Sequence, residues 1–249
     1  MHNEDFRIAL VQMKVGKIKE DNLASAYRLC TEASEKGVNL IVLPECFNSP
    51  YGTKYFKKYS ESDEGDTVKS LSKWARELGV YLVGGSIPEA SDDKFYNTCY
   101  AFDRKGNIIA KHRKIHLFDI NIPNKIRFFE SDVLTAGESP TILQTEYGNI
   151  GLGICYDMRF SELAYYYSKN ECFLVLYPGA FNTTTGPLHW SLLQRARAVD
   201  NQLYVAACAP ARVSGEYESY GHSSVVDPWG NVMTEAGIDE EIIYADISI

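Results

Sequence analysis

The fold is best predicted from one stretch, Ile150-Gly151-Leu152-Gly153-Ile154-Cys155-Tyr156-Asp157-Met158-Arg159-Phe160. Its first five residues are apolar or glycine, which is typical of a strand buried in a parallel sheet. Cys155 follows at the point where the carboxyl end of that strand would lie, with the glycines packed behind it. In α/β proteins, reactive groups are presented at the carboxyl ends of strands. The stretch therefore predicts an α/β fold with Cys155 as a nucleophile.

Two further segments end a predicted buried strand with a charged residue. Leu40-Ile41-Val42-Leu43-Pro44 leads into Glu45, and the segment His112 to Asp119 contains Lys114. Taken singly, each residue has an ordinary structural explanation: a lone cysteine is usually a small buried hydrophobe, and a glutamate or lysine at a strand end is usually solvated. Because all three occur at strand ends of one chain, we interpret them together as a catalytic set.

Strand and helix patterns alternate along the chain. Apolar periodicity and glycine stop signals predict strands over 6–13, 38–43, 80–86, 98–103, 108–114, 173–176 and 203–207, and helices over 21–36, 66–78, 161–169 and 187–201.

The order of elements is repeated, and so is one turn. Asp103-Arg104-Lys105-Gly106-Asn107 in the first half corresponds to Asp227-Pro228-Trp229-Gly230-Asn231 in the second. Such turns are common, but the shared element order favours a duplication over chance. The pattern predicts two pseudo-symmetric α/β halves, each a sheet with helices on one outer face, with the two sheets packed together.

Composition limits the class of protein. The chain has 249 residues, of which 45% are hydrophobic, and no linker-like segment divides it, so we expect one domain over 1–249. The net charge of −8 disfavours nucleic acid and anionic membranes as partners. The polar N-terminus and strand-sized apolar runs predict neither a targeting nor a membrane-spanning segment. Six scattered cysteines without a CxxC pair predict a reduced, cytoplasmic protein without a zinc site.

In their chain order and local contexts, Glu45, Lys114 and Cys155 resemble the nitrilase (carbon-nitrogen hydrolase) superfamily. The resemblance covers essentially the whole chain and is greatest to its omega-amidase branch. The stretches that carry it are Cys46 to Gly52, Arg113 to Asp119, Gly153 to Phe160, Tyr177 to Asn182 and Arg197 to Asn201. It implies a four-layer αββα sandwich, a homodimer, and no cofactor or metal. It also implies hydrolysis of the terminal amide of alpha-ketoglutaramate or alpha-ketosuccinamate.

Amide hydrolysis requires a nucleophile, a proton acceptor and a positive group facing the developing oxyanion. Cys155 supplies the nucleophile, and we expect Lys114 to promote the thiolate and to stabilise the oxyanion together with the Tyr156 N–H. Glu45 accepts the thiol proton, gives a proton to ammonia and later activates water. The superfamily has a second glutamate between the lysine and cysteine motifs that lines the site, and Glu130 matches its location.

A small substrate of this kind carries a carboxylate that needs a cationic or multi-donor partner. The candidates are Arg159, which could instead pair locally with Glu162, and the backbone around Phe181 and Asn182. Further wall residues of the predicted cavity are Tyr51, Phe118 and Glu130.

Three alternative functions stay open at this point. Deaminated glutathione or an N-carbamoyl amino acid could be the substrate, and both belong to amidases of the same superfamily. The alternative of a different class is a non-catalytic binding or scaffold protein that kept the fold.

Overall fold

The computed structural model describes residues 6–123, 126–215 and 217–249. The helices are α1 (Lys19–Ser34), α2 (Thr53–Tyr59), α3 (Asp66–Leu78), α4 (Ser161–Lys169) and α5 (Gly186–Asn201). The strands of the first part are β1 (Phe6–Gln12), β2 (Leu40–Val42), β3 (Tyr81–Val83), β4 (Ile87–Ser91), β5 (Lys94–Phe102), β6 (Ile108–Arg113), β7 (Asp119–Ile122) and β8 (Ile126–Phe129). The remaining strands are β9 (Thr141–Thr145), β10 (Gly148–Leu152), β11 (Cys172–Pro178), β12 (Tyr204–Cys208), β13 (Ser224–Val226), β14 (Val232–Glu235) and β15 (Glu241–Ile247). Two 3₁₀ turns cover Glu130–Asp132 and Cys155–Arg159.

The strands form two large sheets with the same internal plan. One sheet has the order β15-β1-β2-β3-β5-β4, with β6 also paired to β5, and the other has the order β14-β13-β12-β11-β10-β9. In each sheet three central strands run parallel, as β1-β2-β3 and as β10-β11-β12. Each parallel set continues into an antiparallel hairpin, β5-β6 or β13-β14. The predicted pair of pseudo-symmetric α/β halves is therefore confirmed.

Each set of three parallel strands is flanked on its other side by one antiparallel strand. Strand β9, which follows the first half in the chain, pairs antiparallel with β10 of the second sheet. The C-terminal strand β15 returns to pair antiparallel with β1 of the first sheet over seven residue pairs. The first sheet is completed only by this C-terminal strand, which ties the two halves into one structure.

Side-chain alternation along β1 explains the layer order. Phe6, Ile8 and Leu10 point into a core that they share with strands of the second sheet. Ala9 and Val11 point to the opposite face, into a core formed with α1 and α3. A strand buried on both faces lies between two layers, because successive side chains point to opposite sides. Helices α4 and α5 cover the outer face of the second sheet, which completes the four-layer αββα arrangement.

The predicted helices over 66–78 and 161–169 are confirmed residue for residue, and the other two differ by one or two residues. The strand predicted over 80–86 is too long, because β3 ends at Val83. Gly85 then takes a positive φ of 58°. A side chain there would also place its Cβ 2.1 Å from the Pro44 carbonyl oxygen. The chain turns at this point to pass close to the segment that carries Glu45.

Some elements of the structure were not predicted from the sequence, namely helix α2, strand β4, the hairpin β7-β8 and the outer strands β9 and β15. In the described parts of the chain, no helix combines the length and the apolar character needed to cross a membrane.

Candidate active site

Cys155 lies on a sharp turn between β10 and a 3₁₀ turn, and only 5% of the residue is exposed. Its φ of 48° is in the left-handed region, which a residue with a Cβ rarely adopts and which costs about 1–3 kcal/mol. The turn also needs close packing. A Cβ at Gly153 would lie 2.6 Å from the Tyr177 ring, and one at Gly179 would lie 3.3 Å from the Cys155 Cα. The glycines thus hold the thiol at the carboxyl end of the strand, as predicted.

Glu45 follows β2 and is buried, with 1% of its surface exposed. Its Oε1 accepts hydrogen bonds from Asn97 Nδ2 at 2.9 Å and from Lys114 Nζ at 3.1 Å. Its Oε2 accepts one from the Ala180 backbone N–H at 2.8 Å. The Cys155 thiol is close enough to this carboxylate for Glu45 to raise the thiol pKa. The three hydrogen-bond donors come from separate segments of the chain and fix the carboxylate near the thiol.

Lys114 follows β6, and its ammonium group is fully buried between two carboxylates. Its Nζ lies 3.1 Å from Glu45 Oε1 and 2.9 Å from Glu130 Oε2. Burial alone would lower the pKa of Lys114, but Glu130 and Glu45 outweigh it and hold that pKa well above its ordinary value. Lys114 therefore stays charged. A buried ion cluster contributes little net stability, which favours a functional reason for it.

Burial raises the pKa of the Cys155 thiol well above its ordinary value, and the neighbouring Glu45 raises it further. Lys114 opposes the shift, as expected, but does not reverse it. Burial also raises the pKa of Glu45, against the attraction of Lys114. The resting site thus holds a neutral thiol with a carboxylate beside it whose basicity is enhanced. The expected thiolate must form at the moment of attack, by proton transfer to Glu45.

Glu130 lies on the 3₁₀ turn that follows the hairpin β7-β8 and is fully buried. Its Oε1 accepts from the Tyr51 hydroxyl at 2.7 Å, and its Oε2 accepts from the Phe118 backbone N–H at 2.8 Å. Lys114 Nζ is the third hydrogen-bond donor to the Glu130 carboxylate, at 3.0 Å from Oε1. Glu130 therefore connects the buried ammonium to two of the predicted wall residues.

Sequence reasoning missed a third buried carboxylate, Asp157, which joins the nucleophile turn to the Lys114 segment. Its Oδ2 accepts from the Ile154 N–H at 2.9 Å and lies 3.0 Å from His112 Nε2. Its Oδ1 lies 2.7 Å from His116 Nδ1 and accepts from the His116 N–H at 2.9 Å. These contacts, the histidine hydrogen bonds foremost, overcome burial and lower the pKa of Asp157. The sequence does contain a sign of this carboxylate site. His112 and His116, which both contact Asp157, lie two residues on either side of Lys114.

A small space in front of Cys155 brings most of the predicted substrate-binding residues together. This inner chamber has a volume of about 10 Å³. Its lining consists of Tyr51, Phe118, Cys155, Tyr156, Arg159, Ala180, Phe181, Asn182, Thr185 and Tyr217. Glu130 contacts the chamber walls through Tyr51 and Phe118. The side chain of Asn182 is committed elsewhere, because its Oδ1 accepts from the Thr184 and Thr185 N–H groups next to α5. No sequence pattern pointed to Tyr217 or Ala180.

Arg159 presents a half-buried cation to the inner chamber. Its guanidinium lies over the Phe181 ring at 4.9 Å and over the Tyr156 ring at 5.5 Å. Its Nη1 lies 3.2 Å from His189 Nδ1, and its buried Nε has no hydrogen-bond partner among the described residues. The alternative of a local ion pair with Glu162 is wrong, since no carboxylate of the described chain pairs with this guanidinium. Arg159 thus has donor capacity available for an anion.

The described residues contain no group of histidine, cysteine and carboxylate side chains arranged to hold a metal ion. The site therefore consists of a thiol, two carboxylates and an ammonium group, buried between two α/β sheets. This combination of fold and site is that of a hydrolase acting on amides.

The chain belongs to the Carbon-nitrogen hydrolase family, whose profile matches residues 7–249. Omega-amidase NIT2-B of Xenopus laevis is 56% identical over 245 residues, which cover 98% of this chain and 89% of that protein. The crystal structure of Saccharomyces cerevisiae Nit3, a member of branch 10 of the nitrilase superfamily, superimposes with a TM-score of 0.91 at 47% identity. The match covers 98% of this chain and 90% of that one.

A third similar structure is a mutant of the amidase from Nesterenkonia sp. AN1. It shows covalent addition of the acetamide moiety of fluoroacetamide at the active-site cysteine. Its TM-score is 0.85 at 26% identity, and the match covers 98% of this chain and 90% of that one. The predicted membership of the nitrilase superfamily is confirmed by these comparisons.

Proposed function

We propose that this protein is an omega-amidase that hydrolyses the terminal amide of alpha-ketoglutaramate or alpha-ketosuccinamate through a thioester on Cys155. The observation that carries this proposal is the buried cluster in which Lys114 Nζ lies 3.1 Å from Glu45 Oε1 and the Cys155 thiol is close enough for Glu45 to raise its pKa. The 56% identity to a NIT2 omega-amidase over nearly the full chain supports the substrate class.

In the acylation step, the Cys155 sulfur attacks the amide carbon while its proton passes to Glu45. The carbonyl oxygen becomes an oxyanion that faces the Lys114 ammonium and the Tyr156 N–H. A preorganised positive group at this position is worth several kcal/mol in the transition state. The tetrahedral intermediate then collapses, and the C–N bond breaks as Glu45 returns the proton to the departing nitrogen. The products of this step are ammonia and a thioester.

Deacylation uses the same groups in reverse order. Glu45, again ionised, removes a proton from a water molecule that attacks the thioester carbon. Lys114 stabilises the second oxyanion. The C–S bond breaks, the proton passes from Glu45 to the sulfur, and the carboxylic acid leaves. A single carboxylate with a raised pKa suits both directions of transfer, because a base is most effective when its pKa lies near the working pH.

Arg159 is the proposed partner of the substrate carboxylate. It lines the inner chamber with Cys155, and its Nε has no acceptor among the described residues. A carboxylate placed there would be paired rather than buried alone, which favours short keto-acid amides over neutral amides. The backbone of Phe181 and Asn182 offers further contacts, and Tyr51 and Phe118 limit the length of the acyl group.

The test is ammonia release at fixed enzyme concentration from a panel of amides. We expect the highest kcat/KM for alpha-ketoglutaramate or alpha-ketosuccinamate, with deaminated glutathione, glutamine and asparagine far behind. A higher kcat/KM for deaminated glutathione or an N-carbamoyl amino acid would replace the omega-amidase assignment with that alternative. No ammonia and no acylation of Cys155 with any amide would favour the non-catalytic alternative.

Three further expectations remain proposals. A cytoplasmic location is supported by six free and buried cysteines, and a single domain over 1–249 by the strand exchange between the sheets. A homodimer is supported by the exposed apolar side chains of Leu188, Leu192 and Val199 on one helix, α5. Sedimentation should give twice the chain mass, and Leu192→Lys should shift it toward the monomer. A wild-type chain that sediments as a monomer at micromolar concentration would contradict the dimer.

A further inference from the structure

Glu89 is a buried carboxylate that takes no part in the proposed mechanism. It lies in β4, and none of its surface is exposed. Its Oε1 accepts hydrogen bonds from Lys111 Nζ and from Arg113 Nη2, both at 2.6 Å. Its Oε2 accepts from Arg113 Nε at 2.9 Å and from Thr98 Oγ1 at 2.5 Å. Side chains of the three strands β4, β5 and β6 thus meet at one carboxylate.

The charges and geometry of this Glu89 cluster are well defined. Burial would raise the pKa of Glu89, but the hydrogen bonds from Arg113 and Lys111 outweigh it and hold that pKa below its ordinary value. The Arg113 guanidinium binds the carboxylate with two parallel hydrogen bonds, which fix its orientation. The same guanidinium lies over the Tyr96 ring at 3.7 Å. Because a buried ionic cluster contributes little net stability, this arrangement favours a role in fixing geometry.

Along β6, residues that bind Glu89 alternate with residues that belong to the active site. Lys111 and Arg113 bind Glu89. His112 and Lys114 lie on the opposite face, because successive side chains of an extended chain point to opposite sides. His112 is bound to the carboxylate of the nucleophile turn, and Lys114 is the catalytic ammonium group. The cluster therefore lies directly behind the segment that carries the catalytic lysine.

Strand β5 shows the same alternation. Thr98 donates its hydroxyl hydrogen to Glu89. The preceding residue, Asn97, donates from its side chain to Glu45 Oε1 at 2.9 Å. The carbonyl oxygen of Asn97 also accepts from the Lys114 backbone N–H at 2.8 Å, which extends the β5-β6 ladder by one residue. One face of this strand pair thus holds the general base and the ammonium group, and the other face carries the ionic cluster.

We propose that Glu89 is a positioning residue for amide hydrolysis, which holds β4, β5 and β6 together and thereby sets the distance between Lys114 and Glu45. The inference rests on the proposed function, in which Lys114 faces the oxyanion and Glu45 transfers the protons. Glu89 acts through the backbones of β5 and β6, from the face opposite the reacting atoms. Such remote positioning matters because a displacement of about 1 Å at a catalytic group can cost about 10²-fold in rate.

The first test is the kinetics of Glu89→Gln, which keeps the size of the side chain but removes the charge that binds Arg113 and Lys111. We expect kcat to fall about tenfold with little change in KM, because the displaced groups act in the transition state. The measurement is ammonia release from alpha-ketoglutaramate.

The second readout is the acid limb of kcat/KM, which reports the pKa of Glu45 in the free enzyme. Lys114 lowers that pKa, so a longer distance between the two groups raises it, and the limb should move to higher pH in Glu89→Gln. A loss of stability alone would not move this limb. The other titratable groups that face Glu45 are Glu130, Cys155, Cys46, Tyr51 and Tyr217, and they lie on segments outside the Glu89 cluster.

Asp63→Asn is the matched control. Asp63 binds the same Lys111 ammonium from its more exposed side, at 2.6 Å, and accepts a hydrogen bond from the Tyr100 hydroxyl. Its substitution removes a charge from the same lysine without removing Glu89, so kcat and the acid limb should keep their wild-type values. If Glu89→Gln does not fold, as judged by circular dichroism, Arg113→Lys keeps the charge but loses the paired hydrogen bonds. It should change kcat and the acid limb in the same directions.

Two results would overturn the inference. One is that Glu89→Gln lowers the free energy of unfolding while kcat and the acid limb stay at their wild-type values, since Glu89 would then only stabilise the sheet. The other is an equal shift in Asp63→Asn, since any loosening of this edge would then affect the site.

A failure of the proposed function is distinguishable, because the wild type would then release no ammonia from alpha-ketoglutaramate. The pH dependence of Cys155 alkylation by iodoacetamide requires no substrate and still reports the protonation of Glu45, which accepts the thiol proton. Its midpoint should lie at higher pH in Glu89→Gln than in the wild type, and an unchanged midpoint would overturn the positioning role.

Discussion

The two halves of this molecule share one plan but contribute different chemistry. The strand order β15-β1-β2-β3-β5-β6 of the first sheet corresponds to β9-β10-β11-β12-β13-β14 of the second. The turns of the hairpins β5-β6 and β13-β14 have the same side-chain hydrogen bonds. Asp103 Oδ1 accepts from the N–H groups of Lys105 and Asn107, and Asp227 Oδ1 accepts from those of Trp229 and Asn231.

The loops at the carboxyl ends of the parallel strands are not alike. The first half supplies Glu45 after its second parallel strand and Lys114 after its hairpin. The second half supplies Cys155 after its first parallel strand, and after its second it supplies the Ala180 N–H that binds Glu45 as well as Phe181 and Asn182 of the chamber lining. A duplicated scaffold therefore provides equivalent positions, and the loops decide which of them become reactive. The comparison predicts that changes in the loops affect activity and that changes in the shared turns affect stability.

The largest effect should follow from removal of the one nucleophile that the second half supplies. Cys155→Ala should lower kcat by about 10³-fold or more, because the thiol at the carboxyl end of β10 is then missing from the inner chamber. The fold should be retained, since one sulfur atom at a chamber wall leaves little cavity. Cys172→Ala, at a buried cysteine of the same half, is the matched control and should keep its activity. The measurement is steady-state ammonia release. Retained activity in Cys155→Ala would refute the assignment of Cys155 as the nucleophile.

Glu45 and Lys114 test the contribution of the first half. Glu45→Gln keeps the shape but not the base, and Lys114→Met removes the charge that faces the oxyanion. Each should cost about 10²-fold or more in kcat. If Glu45→Gln retained full turnover, proton transfer would have to be assigned elsewhere.

The pH dependence of the wild type follows from the raised pKa of Glu45. Only the ionised carboxylate accepts the thiol proton, so activity falls as the pH falls through that pKa. The acid limb of kcat/KM should therefore lie at higher pH than an ordinary glutamate would give. A profile that stays flat down to the ordinary glutamate range would contradict this.

A smaller effect on rate is expected from Asp157, which connects the halves through His112 and His116. Asp157→Asn should lower kcat about tenfold with little change in KM, because Cys155 and Lys114 would lose their mutual positioning. It should also cost about 3 kcal/mol in the free energy of unfolding, since two histidines lose a buried partner.

The stability effect of Asp157 should depend on pH. The pKa of Asp157 is lowered in the folded state, so its contribution is present above the unfolded-state pKa and is lost as the pH falls through the folded value. The gap in stability between wild type and Asp157→Asn should therefore narrow in acid. Denaturant titrations at pH 7 and in acid measure it, and a gap that widened in acid would contradict this account.

The smallest effects should come from the shared turns. Asp103→Ala and Asp227→Ala each remove hydrogen bonds at an exposed turn, which should cost about 0.5–1 kcal/mol of stability. The two losses should be nearly equal, and ammonia release should stay at the wild-type rate in both variants. Thermal unfolding of both variants measures the two losses of stability. Clearly unequal losses would mean that the two turns are not energetically equivalent.

The features that could be predicted from the amino-acid sequence are those that depend on neighbours along the chain. Helical periodicity located α3 and α4 to the residue, and apolar runs located Glu45, Lys114 and Cys155 at strand ends. The element order and the two matching turns were sufficient to predict the two pseudo-symmetric halves. These signals are local, because a side chain's period and the turn that follows it are set by adjacent residues.

Contacts between residues far apart in the chain could not be predicted and became visible in the three-dimensional structure. The sequence has no periodicity that pairs β15 with β1, or that places Asn97 and Ala180 on the Glu45 carboxylate across 52 and 135 residues. The direction of the Cys155 pKa shift was also beyond sequence, because burial competes there with the nearby Lys114 charge. The ring contact of Tyr217 with Tyr51 depends on a loop that follows β12. Such contacts depend on packing between layers, which is decided by the whole chain at once.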